Sequence, residues 1–125
     1  MEMTGQEFEL AWDELVIKLS KQFKVTADYE FILFIMGIQE LGQGFRGYSR
    51  DEKMDLINLA RCRILAGHGY VKETGVDGQG WPIFEKSKEM KSMMPSYQTQ
   101  LVKKGILEYF NKVEFNSSYT NELDN

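Results

Sequence analysis

Residues 29–41 read YEFILFIMGIQEL, and residues 31–38 within them carry no polar side chain. A run this short does not span a bilayer, which takes about 20 apolar residues, so the rest of the protein must keep water off it. Asp28 is suited to cap the start of a helix, and Gly42 to end one. The stretch predicts a central helix over about residues 29–41, apolar on nearly all sides. Only a narrow wedge that holds Glu30 and Gly37 is expected to face solvent, and Gly37 is expected to let a neighbouring helix approach closely.

Three further segments carry apolar residues at helical spacing. The first predicted helix follows a capping signal at Thr4 and extends for about five turns. The third runs from Ser49, which opens a second capping signal, to about Ala66. The last begins at Pro95 and presents one apolar face as far as residue 113.

Residues 70–86 follow a different pattern: they alternate weakly, carry β-forming residues and enclose a glycine-rich turn at Asp77. This pattern predicts a β-hairpin. An isolated hairpin is marginal in water, so Tyr70, Trp81 and Phe84 are expected to pack on the helices. The predicted fold is α+β and mainly α: four helices around the central apolar helix, with one hairpin between helices three and four. Residues 86–94 are expected to connect the hairpin to the last helix, at most through a short helical turn.

Length and composition predict one globular domain over residues 1–113, followed by a polar tail over residues 114–125. Cys62 is the single cysteine, which excludes an intrachain disulfide and fits a reducing compartment. The first residues carry no apolar leader. A cytoplasmic protein that does not enter the membrane is therefore expected.

Catalytic and cofactor signals are weak. His68 is the only histidine, and zinc needs three or four ligands, so neither a metal nor another cofactor is expected. Residues 42–47 match G-x-G-x-x-G, but they follow a predicted helix rather than a strand, which argues against dinucleotide binding. No catalytic residue is predicted, and an enzyme is disfavoured. A small-molecule binder or enzyme with a cleft near His68 stays as an alternative.

Arginine and aromatic residues cluster in the third helix, the loop before it and the hairpin, a mixture typical of binding hot spots. The candidate binding residues are Arg46, Arg61, Arg63, His68, Tyr70 and Trp81.

Two further pairs stand out on the predicted helices. Glu40 and Arg61 each project from an apolar arc, which predicts a structural ion pair; alternatively, each lies over apolar surface with its charged end in water. Leu10 and Ile17 lie on one line of the outer face of the first helix. They are either scattered surface residues or a contact between subunits of a homo-oligomer.

A winged-helix nucleic-acid binder is a further alternative, because three helices precede a hairpin. Residues 61–112 carry nine Lys and Arg against five Asp and Glu, although the whole chain has a net charge of −4. The third helix, which would read bases, begins with Asp51, Glu52 and Asp55, and these carboxylates argue against nucleic acid as a partner.

Several blocks of the sequence are distinctive together: MGIQELGQGF at 36–45, DEKMDL at 51–56, CRIL at 62–65, and Asp77 followed by Gly80-Trp81-Pro82. With these blocks the chain resembles a family of small uncharacterised proteins from Bacteroidetes over about residues 30–110. The resemblance implies kinship and supplies no catalytic residues. The expected function is therefore that of a non-enzymatic cytoplasmic interaction protein, binding a protein partner or a second copy of itself.

Overall fold

The computed structural model describes residues 4–112, which form five helices and one two-stranded antiparallel sheet. In chain order the elements are α1 (Gly5–Phe23), α2 (Tyr29–Leu41), α3 (Arg50–Gly67), β1 (Val71–Val76), β2 (Pro82–Lys86), α4 (Lys88–Ser92) and α5 (Pro95–Lys112). The predicted mainly helical α+β fold is confirmed, and the connector after the hairpin contributes the short α4 as a fifth helix. The tail predicted over 114–125 and the last predicted helical position, 113, lie outside the described residues.

Local hydrogen bonds fix where the helices begin. The backbone N–H of Phe31 donates to Asp28 Oδ1 at 2.8 Å, which caps α2. At α3, the N–H of Glu52 donates to Ser49 Oγ at 3.1 Å, and the N–H of Ser49 donates to Glu52 Oε1 at 3.0 Å. This reciprocal arrangement satisfies two N–H groups that a helix start leaves unpaired. The capping signals of the sequence therefore locate the helix starts.

Helix α2 lies in the centre of the protein, and its apolar residues from Ile32 to Ile38 are almost all fully buried. Gly37 is buried too, so the expected solvent-facing wedge is wrong at this position. A methyl group there would overlap the carbonyl of Leu56 on α3. Because glycine has no side chain, the two helix backbones touch at Gly37, and the expected close approach of a neighbouring helix is confirmed.

Helix α1 covers one side of the core with Phe8, Leu15 and Leu19 and leaves its opposite face exposed. On that face Leu10 is 57% and Ile17 is 54% exposed. Residues 10 and 17 lie about 180° around the helix from this buried stripe, at about 100° per residue. The predicted outward position of the Leu10–Ile17 line agrees with this exposure.

The hairpin packs on the helices through its aromatic residues. Strand β1 pairs with β2 from Val71 opposite Lys86 to Val76 opposite Pro82, with a bulge between Glu73 and Gly75. Tyr70 and Phe84 contact the main core, and Trp81 contacts a second buried cluster of Ile38, Leu56 and Leu59. The expected packing of these three aromatic residues is confirmed.

Candidate functional site

The tip of the hairpin is shaped by one carboxylate. Asp77 Oδ1 accepts hydrogen bonds from the N–H groups of Gln79 at 2.8 Å and Trp81 at 2.9 Å. Gly80, with a φ of +89°, occupies the left-handed region that a side chain disfavours. The loop therefore turns back tightly and presents Trp81 to α3.

The loop between α2 and α3 contacts the hairpin tip through a hydrogen bond. Gln43 Nε2 donates to the carbonyl of Gln79 at 3.3 Å. Arg46 donates to Gln43 Oε1 at 3.3 Å, pairs with Glu52 Oε2 at 2.8 Å, and lies 4.2 Å from the ring centre of Tyr48. Hydrogen bonding to Arg46 lowers the pKa of Glu52, and the same bond raises the pKa of Arg46.

The base of the hairpin is joined to the helices by Arg63 of α3. Its Nη1 lies 3.2 Å from Glu73 Oε2 of β1, and its guanidinium lies 5.3 Å from the ring centre of Phe84 in β2. Its Nε lies 3.1 Å from Glu40 Oε1 of α2, although the N–H is not aligned for a hydrogen bond. Tyr109 of α5 donates to the other oxygen of Glu40 at 3.4 Å. One arginine therefore links three segments of the chain.

Between α3 and the hairpin tip lies a cleft of about 310 Å³. Its apolar surface comes from four residues, Leu59, Trp81, Pro82 and Phe84, and its polar rim from five, Glu52, Asp55, Asn58, Asp77 and Gln79. Among the described residues that line it there is no lysine and no arginine. The cleft thus combines aromatic side chains with an acidic rim.

The three carboxylates of the rim differ in what already binds them. Glu52 pairs with Arg46 and caps α3, and Asp77 uses Oδ1 to shape the loop. Asp55 is exposed one turn further along α3, at a position facing the cleft. An aromatic face beside a carboxylate attracts a positively charged group, because the ring face and the carboxylate are both negative.

A second cavity, of about 270 Å³, lies between the end of α3 and α5. Arg63, His68, Glu108 and Tyr109 contribute its polar groups, beside apolar surface from Met36 and Ile64. The Arg63 guanidinium is already engaged by Glu40 and Glu73, and the Tyr109 hydroxyl by Glu40. Arg63 and Tyr109 therefore bind side chains of the protein itself and do not converge on one point where a ligand could bind.

The six candidate binding residues occupy four different surroundings. Arg46 and Trp81 lie beside the hairpin tip, and Arg63 and His68 line the second cavity. Arg61 lies beside Tyr29, and Tyr70 lies beside Tyr97, whose proximity raises the pKa of Tyr70. They do not form one site.

The predicted pairing of Glu40 with Arg61 is corrected, because the arginine beside Glu40 is Arg63. Residues 61 and 63 are about 200° apart around α3, so they project to different sides of the helix. Arg61 instead reaches Tyr29, where burial raises the tyrosine pKa more than the nearby guanidinium lowers it.

Sequence reasoning missed Asp55 and Asp77 as members of a cleft. In the sequence Asp55 stands out as a carboxylate unsuited to DNA and Asp77 as a turn residue, and both belong to the blocks that carry the family resemblance. The available signal was the Asp-Gly turn directly before Trp81, which predicts where the hairpin tip lies but not what it faces.

Other chemistry is limited in the described part of the chain. Across residues 4–112, no three His, Cys, Asp or Glu side chains are grouped closely enough to hold a metal ion. Burial raises the pKa of the Cys62 thiol, which disfavours the reactive thiolate. In the same residues, every helix is too short or too polar to cross a membrane.

Compared with protein-family models, with curated proteins and with solved structures, the chain matches none of them. The resemblance to the Bacteroidetes family stays a prediction.

Proposed function

We propose that this protein is a cytoplasmic, non-enzymatic interaction protein that receives a lysine or arginine side chain of a protein partner in the cleft between α3 and the hairpin tip. The observation that carries the proposal is the combination of Trp81 and Phe84 in the cleft with Asp55 and Asp77 on its rim. The aromatic surface accepts the aliphatic part of a basic side chain, and the carboxylates attract its charged end.

The size of the cleft supports a side chain rather than a large ligand. At about 310 Å³ it lies at the small end of ligand pockets. Two hydrogen bonds hold the loop that carries Trp81: one to the Asp77 carboxylate within the loop, and one from Gln43 of the segment between α2 and α3. A cleft whose walls are already positioned loses little conformational entropy on binding.

The cleft supports a basic partner better than a nucleic acid. In a winged-helix binder, α3 and the hairpin would both lie against the negatively charged DNA. Here the same two elements present Asp55 and Asp77 to one opening, and like charges repel there. The cavity beside His68 supports an enzyme less well, because Arg63 and Tyr109 are engaged within the protein.

The proposal is tested by NMR titration with Nα-acetyl-lysine amide, followed at the indole N–H signals of the two tryptophans. The control ligand is Nα-acetyl-norleucine amide, which has the same four-carbon side chain without the ammonium group. We expect the lysine ligand to shift the Trp81 signal at millimolar concentration and the norleucine ligand to shift it at least about fivefold less. Trp12 of α1 lies beside Glu9 and Asp13, so its signal shows whether any aromatic side chain next to carboxylates responds. The backbone N–H signals of buried Ile32 and Leu33 serve as the internal control.

Two matched variants test whether the carboxylate of Asp55 binds the charged end of the ligand. Asp55→Asn should weaken the binding of the lysine ligand by roughly threefold to tenfold, because it removes a carboxylate at the rim. Asp51→Asn makes the same change at an exposed position of α3 that does not line the cleft, and it should leave binding unchanged. Equal responses to both ligands, or equal effects of both variants, would exclude a cation-binding cleft.

A further inference from the structure

The outer face of α1 combines apolar side chains with a separation of charge along the helix. Leu10 is 57% and Ile17 is 54% exposed, and Val25, just beyond the helix, is 43% exposed. Asp13 and Glu14 lie between the two apolar residues, and three exposed lysines follow Ile17, at positions 18, 21 and 24. The face is acidic towards its start and basic towards its end.

These residues lie close together around the helix axis. At about 100° per residue, positions 10 and 17 are about 20° apart, and Glu14 and Lys21 flank them on the same side. Seven residues separate Glu14 from Lys21, a rise of about 10 Å. The two charges are therefore too far apart to pair within one helix, but they are suitably placed to meet a second helix.

We infer that α1 forms a two-fold symmetric, antiparallel contact with the α1 of a second copy of this chain, with the axis beside Ile17. In this arrangement Ile17 of one copy contacts Ile17 of the other, and Glu14 of each faces Lys21 of the other. The two Leu10 side chains reach the ends of the opposite helices, where Val25 is exposed. The inference is independent of the proposed cleft, with which α1 shares no residue.

The charges select this register over the alternatives. An axis between residues 13 and 14 would place Leu10 opposite Ile17, but it would bring Asp13 and Glu14 of both copies together. A parallel pair would place the acidic halves side by side and the basic halves side by side. Only the antiparallel pair centred near Ile17 matches opposite charges, and a two-fold axis repeats each match twice.

The expected dimer is weak. Two single helices in contact bury less surface than the roughly 1,200 Å² at the lower limit of standard interfaces. The 125-residue chain should therefore show a mass in sedimentation equilibrium that rises with concentration from 14.5 kDa towards twice that value. Raising the salt concentration should weaken the association, because the flanking pairs are exposed.

Charge reversal tests the pairing directly. Glu14→Lys alone and Lys21→Glu alone each place like charges opposite one another twice in the dimer. Each should raise the dissociation constant by roughly tenfold or more. An equimolar mixture of the two variants should recover association, because in a mixed dimer each residue 14 again faces a residue 21 of opposite charge. The double variant should recover it as well, since both partners are reversed.

Two controls complete the experiment, and circular dichroism checks that every variant keeps its helix content. Ile17→Glu should abolish association. Glu108→Lys makes the same charge change as Glu14→Lys at an exposed position of α5, and it should not alter association. A wild-type protein that stays monomeric at millimolar concentration would overturn the inference. Single variants that associate as well as the wild type, or a mixture that fails to recover, would overturn the antiparallel pairing.

Discussion

At the crossing of α2 and α3 the two backbones touch through Gly37 and Leu56, whereas the hairpin is joined to the helices largely by charged and aromatic side chains. The first contact excludes water and tolerates no added atom. The second depends on Arg46 at the hairpin tip and Arg63 at its base, both partly exposed. The proposed binding cleft belongs to the second region, so we expect its stability to depend more on pH and salt than that of the core does.

The largest expected effect is at the helix crossing. Gly37→Ala should lower the free energy of unfolding by about 1–3 kcal/mol, because the new methyl group meets the backbone of Leu56. The helix propensity of alanine, worth up to about 1 kcal/mol in the opposite direction, should not compensate. Denaturant unfolding measures the difference.

Gly67→Ala is the matched control for this prediction. An added methyl group at Gly67 has no atom within 4 Å, so stability should change by less than about 1 kcal/mol. If Gly37→Ala and Gly67→Ala unfold at the same denaturant concentration, the close approach of α2 and α3 is wrong.

A smaller effect is expected at the base of the hairpin. Arg63→Met should cost about 1–2 kcal/mol, because Glu40 and Glu73 lose a partner while the long side chain still covers Phe84. In double-mutant cycles with Glu40→Gln, Arg63→Met should show a coupling of about 0.5–1 kcal/mol and Arg61→Met almost none. Stronger coupling to Arg61 would restore the pairing that the sequence predicted.

The smallest effect concerns pH at the hairpin tip. Hydrogen bonding to Arg46 lowers the pKa of Glu52 below its ordinary value of 4.5. The folded state therefore gains stability above that value and loses the gain as pH falls through the lower pKa of the folded protein. Glu52→Gln keeps the residue type that a capping box accepts but not the charge. Its stability deficit relative to wild type should be constant above about pH 5.5 and shrink below about pH 4.5.

Arg46→Gln supplies the comparison for the pH prediction, since it removes the largest cause of the lowered pKa of Glu52 and leaves the carboxylate and its bond from the Ser49 N–H in place. Thermal unfolding of this variant should show a weaker dependence of stability on pH below about pH 4.5 than the wild type shows. If the wild type and both variants show parallel curves of stability against pH, the proposed role of the Arg46–Glu52 pair is contradicted.

Sequence reasoning succeeded where the physical cause is local. The cap at Asp28 and the reciprocal bonds of Ser49 and Glu52 depend on residues within one turn of one another, and the apolar run of α2 extends over about two turns. The hairpin around Asp77 likewise follows from turn chemistry and β-forming flanks. These features are fixed by local interactions and do not depend on contacts between distant segments of the chain.

Sequence reasoning failed where two distant segments meet. Arg61 and Arg63 look equally suited to pair with Glu40, because helical spacing gives the direction of each side chain but not the position of the neighbouring helix. Likewise, the pattern left Gly37 open to solvent, and only the position of α3 buries it. The six candidate binding residues lie between residues 46 and 81 on three neighbouring segments, and packing distributes them over four surroundings.

The sequence by itself determined the helices, the hairpin and the outward-facing line of Leu10 and Ile17, because periodicity and capping act over one or two turns. The tertiary structure decided which arginine pairs with Glu40 and which carboxylates surround Trp81. Those outcomes depend on how α3 crosses α2 and where the hairpin tip comes to lie, and side-chain packing between distant segments sets both.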